Sequence, residues 1–259
     1  MPPITNPSPA MRGAQRTLKV LRALNLHNGA SVTQLSGMTV ISRPALYRIL
    51  DTLCSQGYVR RRPGEGEYEL TALVRTLSDG YKDEDWVRQA AIPVIEALQQ
   101  EVVWPTDLAT FHDNAMYLRE TTRKRSPLTI DGVGVGERLP MLRSATGRAY
   151  LAFCTEAERK LILDNLRASG RPEDAGAGNR RHVNAMLAAT RSRGYGERQE
   201  DMFAKTSALA IPIQAGERIL ACLNITFIAS VMTPREAAQR YLASMKLAAA
   251  SILGRLDKR

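Results

Sequence analysis

With 259 residues, 44% of them hydrophobic, the chain can bury the core of one large domain or two ordinary ones, which excludes a disordered tail. Its 36 Lys and Arg against 26 Asp and Glu give a formal charge of +10, which favours a negatively charged partner: nucleic acid, a membrane surface or an acidic protein. Cys54, Cys154 and Cys222 stand singly and no apolar run approaches the roughly 18–20 residues of a spanning helix, so the expectation is a cytoplasmic protein with no disulfide framework and no membrane partner.

Residues 1–11 hold four prolines and predict a disordered leader. From Gln15, Leu18, Leu21, the Ala23-Leu24 pair and Leu26 recur at helical spacing, and His27-Asn28-Gly29 stops the helix. Ser31-Val32-Thr33-Gln34 has the form of a capping box, opening a short second helix with Leu35 and Met38 inward. Ser42 as N-cap and Pro44 in the first turn open a third helix. Its apolar stripe, Leu46, Ile49, Leu50 and Leu53, leaves Arg43, Tyr47, Arg48 and Asp51 outside, and Gly57 ends it. Two short β segments around the turn Pro63-Gly64-Glu65-Gly66-Glu67 predict a hairpin.

Three helices and a hairpin over residues 12–72 form the winged helix-turn-helix plan, in which the third helix enters the major groove and the wing lies along the phosphates. Charge agrees: residues 1–75 carry ten Lys or Arg and four Asp or Glu, more than half of the excess in under a third of the chain. The expected DNA-binding residues are Ser42, Arg43, Pro44, Tyr47 and Arg48 on the helix and Arg60, Arg61 and Arg62 on the wing, tempered by Glu65, Glu67 and Glu69. Arg offers a fork to guanine, and Tyr47 can meet phosphate or a thymine methyl. The same residues also suit a helix face that merely meets solvent.

Residues 73–88 predict a linker helix, part of a helical stretch from about 71 to 102 that bends at Ile92-Pro93. Over residues 89–259, strands at 107–111, 116–120, 208–213 and 219–227 mix with helices at 144–153, 155–168, 182–193 and from Thr233. Thr155 with Glu158 and Thr233 with Glu236 have capping-box spacing. The fold class is therefore α+β, with an antiparallel sheet flanked by helices in a sensor-type C-terminal domain.

Motifs for chemistry are weak. Gly132-Val133-Gly134-Val135-Gly136 lacks the spacing of a nucleotide loop and predicts a turn before a strand. His27, His112 and His182 lie far apart, and none pairs with a cysteine at ligand spacing, so no metal is expected. Asp83-Glu84-Asp85 suits a solvated acidic face, and no nucleophile motif accompanies it, so no enzyme and no cofactor are expected. Two other classes stay open at this point: a protein-interaction module whose winged helix meets an acidic partner, and a small-molecule enzyme with a sensor-like fold.

Residues 42–53, Ser-Arg-Pro-Ala-Leu-Tyr-Arg-Ile-Leu-Asp-Thr-Leu, followed by Gly57-Tyr58-Val59, resemble the recognition-helix signature of IclR-type transcriptional regulators. Residues 134–153 resemble that family's G-x-x-L-P segment and the helix after it, and Ala208–Ile213 with Leu220–Phe227 resemble its last strand pair. Residues 101–107, 119–122 and 151–154 are similar to the branch containing the 3-(3-hydroxyphenyl)propionate catabolism regulator. Arg148 departs from the family's usual Lys, and Pro44-Ala45 from its usual Ser/Thr pair.

The resemblance implies a GAF-like effector domain over residues 89–259 and a one-component regulator of an aromatic-catabolism operon. Its implied partners are double-stranded operator DNA, a small aromatic carboxylic acid and a second copy of the chain in a homodimer or tetramer, with contact to RNA polymerase left open. It also implies an effector pocket lined by Met141, Ser144, Ala145, Asn224 and Thr226, where the helix N-terminus near Ser144 offers N–H groups to a carboxylate. Arg119 is a candidate cation, and reads also, and rather better, as half of a surface salt bridge; Asn224 reads equally as a satisfied polar group between strands.

Overall fold

The computed structural model describes residues 9–78, 86–128, 132–199 and 202–256, and the chain divides into two compact units, Met1–Lys82 and Asp83–Arg259. The acidic run Asp83-Glu84-Asp85, the middle of the expected linker helix and residues 1–8 of the expected leader lie outside the described residues.

The first unit contains α1 (Pro9–Leu26), β1 (Ala30–Ser31), α2 (Val32–Thr39), α3 (Arg43–Ser55), β2 (Val59–Arg61) and β3 (Glu67–Leu70), then a 3-10 stretch over Ala72–Ser78 where the linker was expected to be α-helical. Helix α1 starts at Pro9, inside the segment expected to be a disordered leader; proline suits a first turn because its missing N–H would have no partner there. The buried face of α1 is Val20, Ala23 and Leu24, while Leu18 and Leu26 are 58% and 47% exposed. The stripe that meets α2 and α3 is thus rotated from the leucine-based expectation. In α2 the capping box closes, with Ser31 N–H donating to Gln34 Oε1 at 2.8 Å and Gln34 N–H to Ser31 Oγ at 3.4 Å. Leu35 points inward as expected, but Met38 is exposed and Thr39 is buried, its hydroxyl donating to the Leu35 carbonyl. Helix α3 buries Leu46, Leu50 and Leu53 against this core. The hairpin pairs Val59 with Leu70 and Arg61 with Tyr68.

The second unit opens with a π-turn, Val87–Ala91, leading into α4 (Ile92–Val102). Ile92 N–H reaches the Val87 carbonyl five residues back, and Pro93, which cannot donate, falls in the first turn of α4, so the expected bend takes this form. Strands β4 (Thr106–His112), β5 (Ala115–Thr121), β6 (Arg138–Pro140), β7 (Gly196–Arg198), β8 (Thr206–Ala215) and β9 (Arg218–Ile228) make one antiparallel sheet in the order β6-β5-β4-β9-β8-β7. Of the two edge strands, three residues each, β6 follows the turn that ends at Gly136, as expected, whereas β7 is too short to show an alternation and was not expected.

Helix α4 and α8 (Pro234–Leu256) cover the sheet face carrying Leu108, Leu223, Ile225 and Phe227. Helices α5 (Ala145–Phe153), α6 (Glu156–Ala168) and α7 (Arg180–Arg193) cover the face carrying Ala109, Met116 and Cys222. Thr233 and Glu236 cap each other at the start of α8. At Thr155 only half of the expected box forms: Glu158 N–H donates to Thr155 Oγ1, but the Glu158 carboxylate accepts from the Tyr150 hydroxyl at 2.5 Å instead.

Two glycines set the height of α5 above the sheet. A Cβ on Gly196 would lie 2.2 Å from the Ala145 carbonyl oxygen, and one on Gly147 would lie 2.4 Å from the Met141 carbonyl oxygen. Only glycine admits backbones this close. Among the described residues, no helix is long and apolar enough to cross a membrane.

Candidate functional site

On the first unit, Ser42 holds an extended N-cap conformation but its hydroxyl makes no cap hydrogen bond. Ser42, Arg43, Pro44, Tyr47 and Arg48 are all exposed on α3, opposite its buried leucines. Arg43 and Arg48 carry no ion pair among the described residues. A groove of about 390 Å³ between α1 and α3 is lined by Arg16, Ser42, Pro44 and Arg48. Arg16, read from the sequence only as part of a polar helix face, therefore joins this surface.

The glutamates expected to temper the wing pair directly with its arginines. Arg60 Nε donates to Glu69 at 2.6 Å, and Arg62 reaches Glu65, Glu67 and Glu69 at 2.7, 3.0 and 3.1 Å. Hydrogen bonds from Arg60 and then Arg62 hold the Glu69 carboxyl below the usual carboxylate range. Two arginines thus face three glutamates, and of the three wing arginines only Arg61 is exposed without a carboxylate among the described residues. The free positive charge of the hairpin narrows from three residues to one.

In the second unit, Ser144, Ala145, Asn224 and Thr226 converge on one cavity between α5 and the sheet. Met141 does not line it: that side chain is fully buried in the core, its backbone pressed against Gly147. Arg119 lines a separate groove with Phe111 and Tyr150.

The polar floor of the cavity comes from strand register. Asp107 on β4 lies opposite Asn224 on β9 and opposite Thr121 on β5. Asn224 Nδ2 donates to Asp107 Oδ2 at 2.8 Å, and the Thr121 hydroxyl to Asp107 Oδ1 at 2.7 Å. Arg123, in the turn after β5, forms an ion pair with Asp107 and donates to Thr226 Oγ1 at 3.1 Å. Across the cavity Arg198 donates to the Thr206 carbonyl and hydroxyl at 2.5 and 2.9 Å, with its guanidinium carbon 5.1 Å from the Phe203 ring centroid. Asp107, Arg123 and Arg198 were not anticipated. Arg123 sits in a turn and Arg198 in a three-residue strand, where no periodicity marks them.

The roof is the start of α5. Ser144 Oγ accepts from Gly147 N–H at 3.0 Å and donates to the Pro140 carbonyl at 2.8 Å. The first intrahelical bond is Arg148 N–H to Ser144 O, so the N–H groups of Ala145 and Thr146 precede the helical ladder at its positive end. Arg148 donates to the Leu142 and Glu197 carbonyls and so ties this end to β7. The cavity thus presents two buried guanidiniums, one of them paired with the Asp107 carboxylate, and a helix N-terminus, with Leu118, Val133 and Leu139 as apolar wall. Its volume is about 30 Å³, room for a water or two, whereas a benzene ring needs about 150 Å³. An aromatic ligand therefore enters only if the walls part. Burial pushes the Cys154 thiol up to about 11 and Cys222 higher still, so both stay protonated and unreactive.

The sequence profile of the IclR helix-turn-helix domain matches residues 13–63, and that of the bacterial transcriptional regulator IclR C-terminal domain matches residues 80–253. The chain is 24% identical over 233 residues to the HTH-type transcriptional regulator XynR of Escherichia coli, covering 89% of this chain and 91% of XynR. It is 25% identical over 236 residues to the Pca regulon regulatory protein of Pseudomonas putida, covering 90% of this chain and 79% of that protein. The fold is similar to that of an IclR homologue from Microbacterium hydrocarbonoxydans solved with 4-hydroxybenzoate, with a TM-score of 0.61 at 19% identity, covering 95% of this chain and all of that one. These families and relatives are transcriptional regulators, not enzymes.

Proposed function

The chain belongs to the IclR family of bacterial transcriptional regulators, and from that premise we propose that it is a cytoplasmic one-component regulator of an aromatic-catabolism operon. Helix α3 enters the major groove of the operator, with Arg43 and Arg48 reading base edges and Ser42 and Arg16 on phosphate. Arg61 supplies sequence-independent attraction from the wing. A small aromatic carboxylic acid occupies the cavity under α5, its carboxylate set between the helix N-terminus and the Arg123 and Arg198 guanidiniums, its ring against Leu118 and Leu139.

The observation that carries this reading is the pairing of an exposed, cationic α3 with a buried cavity that Arg198, Arg123 in its pair with Asp107, and the start of α5 line together. The aromatic class draws on the residues that resemble the 3-(3-hydroxyphenyl)propionate branch, and on relatives that include a Pca regulon regulator and a 4-hydroxybenzoate complex. Because the resting cavity holds no more than a water or two, the acid binds a parted form preferentially and shifts the population toward it. That shift changes how two copies of the chain present their α3 helices to operator half-sites, in a homodimer or tetramer, and so alters operator affinity or engagement of RNA polymerase.

A mobility-shift assay with the DNA upstream of the gene tests the operator half. A specific band that survives competitor DNA at moderate salt is expected, and its absence refutes the reading.

A further inference from the structure

Arg119 does not belong to the cavity under α5, and its surroundings form a second site. Pairing between β4 and β9 runs from Thr106–Ile225 to Ala109–Cys222 and stops there, although β4 continues to His112 and β9 begins at Arg218. The strand ends splay, and the opening is a groove of about 380 Å³, within the range of small-ligand pockets and more than ten times the cavity under α5.

Both irregularities of the sheet aim into this groove. Leu108 pairs with Glu120 and Ala109 with Leu118, so Arg119 is the extra residue of a bulge. Gln214 pairs with Ile219 and Ile213 with Ala221, so Leu220 is the extra residue of another. Arg119 and Leu220 both line the groove. Bulges re-aim side chains and gather near binding sites. Here one of them delivers a guanidinium whose Nε is buried without a hydrogen-bond partner, and Arg119 makes no ion pair among the described residues. An oxyanion in the groove would pair with this guanidinium by charge-assisted hydrogen bonds.

The remaining walls narrow the ligand. Phe111 and Tyr150 stack with centroids 4.7 Å apart and planes within 17°, giving one flat aromatic side. Arg218 adds an exposed second cation at the mouth. Among the described residues, Glu158 is the one carboxylate lining the groove; it accepts the Tyr150 hydroxyl and has acceptor capacity left for a ligand donor. The geometry points to a second ligand site, for a small carboxylic acid that bears a hydroxyl: carboxylate on Arg119 and Arg218, hydroxyl toward Glu158, body along Phe111. The site is separate from the cavity under α5 and shares no lining residue with it.

Calorimetric titration of the full chain with 4-hydroxybenzoate tests this, using Arg119→Gln, Arg218→Gln and Asn224→Leu, each first checked for a native thermal transition. Arg119→Gln is expected to weaken one binding event about tenfold or more, the size of a lost charge-assisted hydrogen bond. Arg218→Gln weakens the same event less, and Asn224→Leu leaves it intact. The proposal is overturned if no event of the parent protein is weakened by Arg119→Gln, or if the event so weakened is the one that Asn224→Leu removes. Should Arg119→Gln fail to fold, the Arg218→Gln titration decides in the same way.

Discussion

Arg123 reaches from the turn after β5 onto Asp107 in the middle of the sheet, and both side chains are almost out of water, at 7% and 2% exposure. Removing one partner of such a pair strands a charge in a medium that solvates it poorly. Arg123→Ala is therefore expected to lower the unfolding free energy by about 3–5 kcal/mol in urea denaturation. Replacing both, as Asp107→Leu with Arg123→Met, should recover most of that loss. A single variant as stable as the parent would contradict the arrangement.

Gly196 and Gly147 are placed against backbone rather than against flexible side chains, so an added methyl cannot be absorbed by a rotamer change. Gly196→Ala and Gly147→Ala should each cost at least about 1–3 kcal/mol and lower the thermal midpoint. Gly178→Ala, which meets nothing within 4 Å, is the control and should leave the midpoint nearly unchanged.

On DNA, Arg48→Ala should weaken specific binding by about 1–3 kcal/mol and relax base preference, whereas Arg61→Ala should weaken all sequences alike and reduce the salt slope by about one contact. Glu69→Gln, which loosens Arg60 and Arg62, should strengthen non-specific binding. Fluorescence anisotropy on operator and scrambled duplexes separates these outcomes. If Arg48→Ala and Arg61→Ala both altered only the non-specific component, α3 would not be the reading helix.

The wing also carries a pH signature. Hydrogen bonds from Arg60 and Arg62 depress the Glu69 pKa below the ordinary 4.5. A depressed carboxylate stabilises the folded form above the unfolded pKa and loses that contribution as pH falls through the folded one. An NMR titration of the Glu69 side chain should give a midpoint below 4.5, moving back up in Arg60→Gln. A midpoint unmoved by that substitution would mean the ion pair is not populated.

Much of this fold was legible because it rests on local signals. Helix α3 follows from one apolar stripe and its Pro44, and α8 from the Thr233 and Glu236 box. Where local signals conflicted with packing, packing won: Leu18 looked more apolar than Val20, yet Val20 faces the core. The site was half legible. The resemblance names Ser144, Ala145, Asn224 and Thr226, which line one cavity, but the partner that ties Asn224 down, Asp107, lies 117 residues away and is brought opposite it only by strand register. Arg119 was read as a cation at the effector cavity, and the bulge that turns it into another groove leaves no trace in the sequence.

The central claim is that acid in the cavity under α5 alters operator binding by α3. The most direct test is the operator dissociation midpoint, by anisotropy at fixed salt, with and without saturating benzoate, 4-hydroxybenzoate or 3-(3-hydroxyphenyl)propionate, in the parent and in Asn224→Leu. A shift of about 5–150-fold by at least one acid in the parent, absent in Asn224→Leu while its acid-free midpoint is retained, is predicted. No shift with any of these acids, or the same shift in both proteins, would contradict the account.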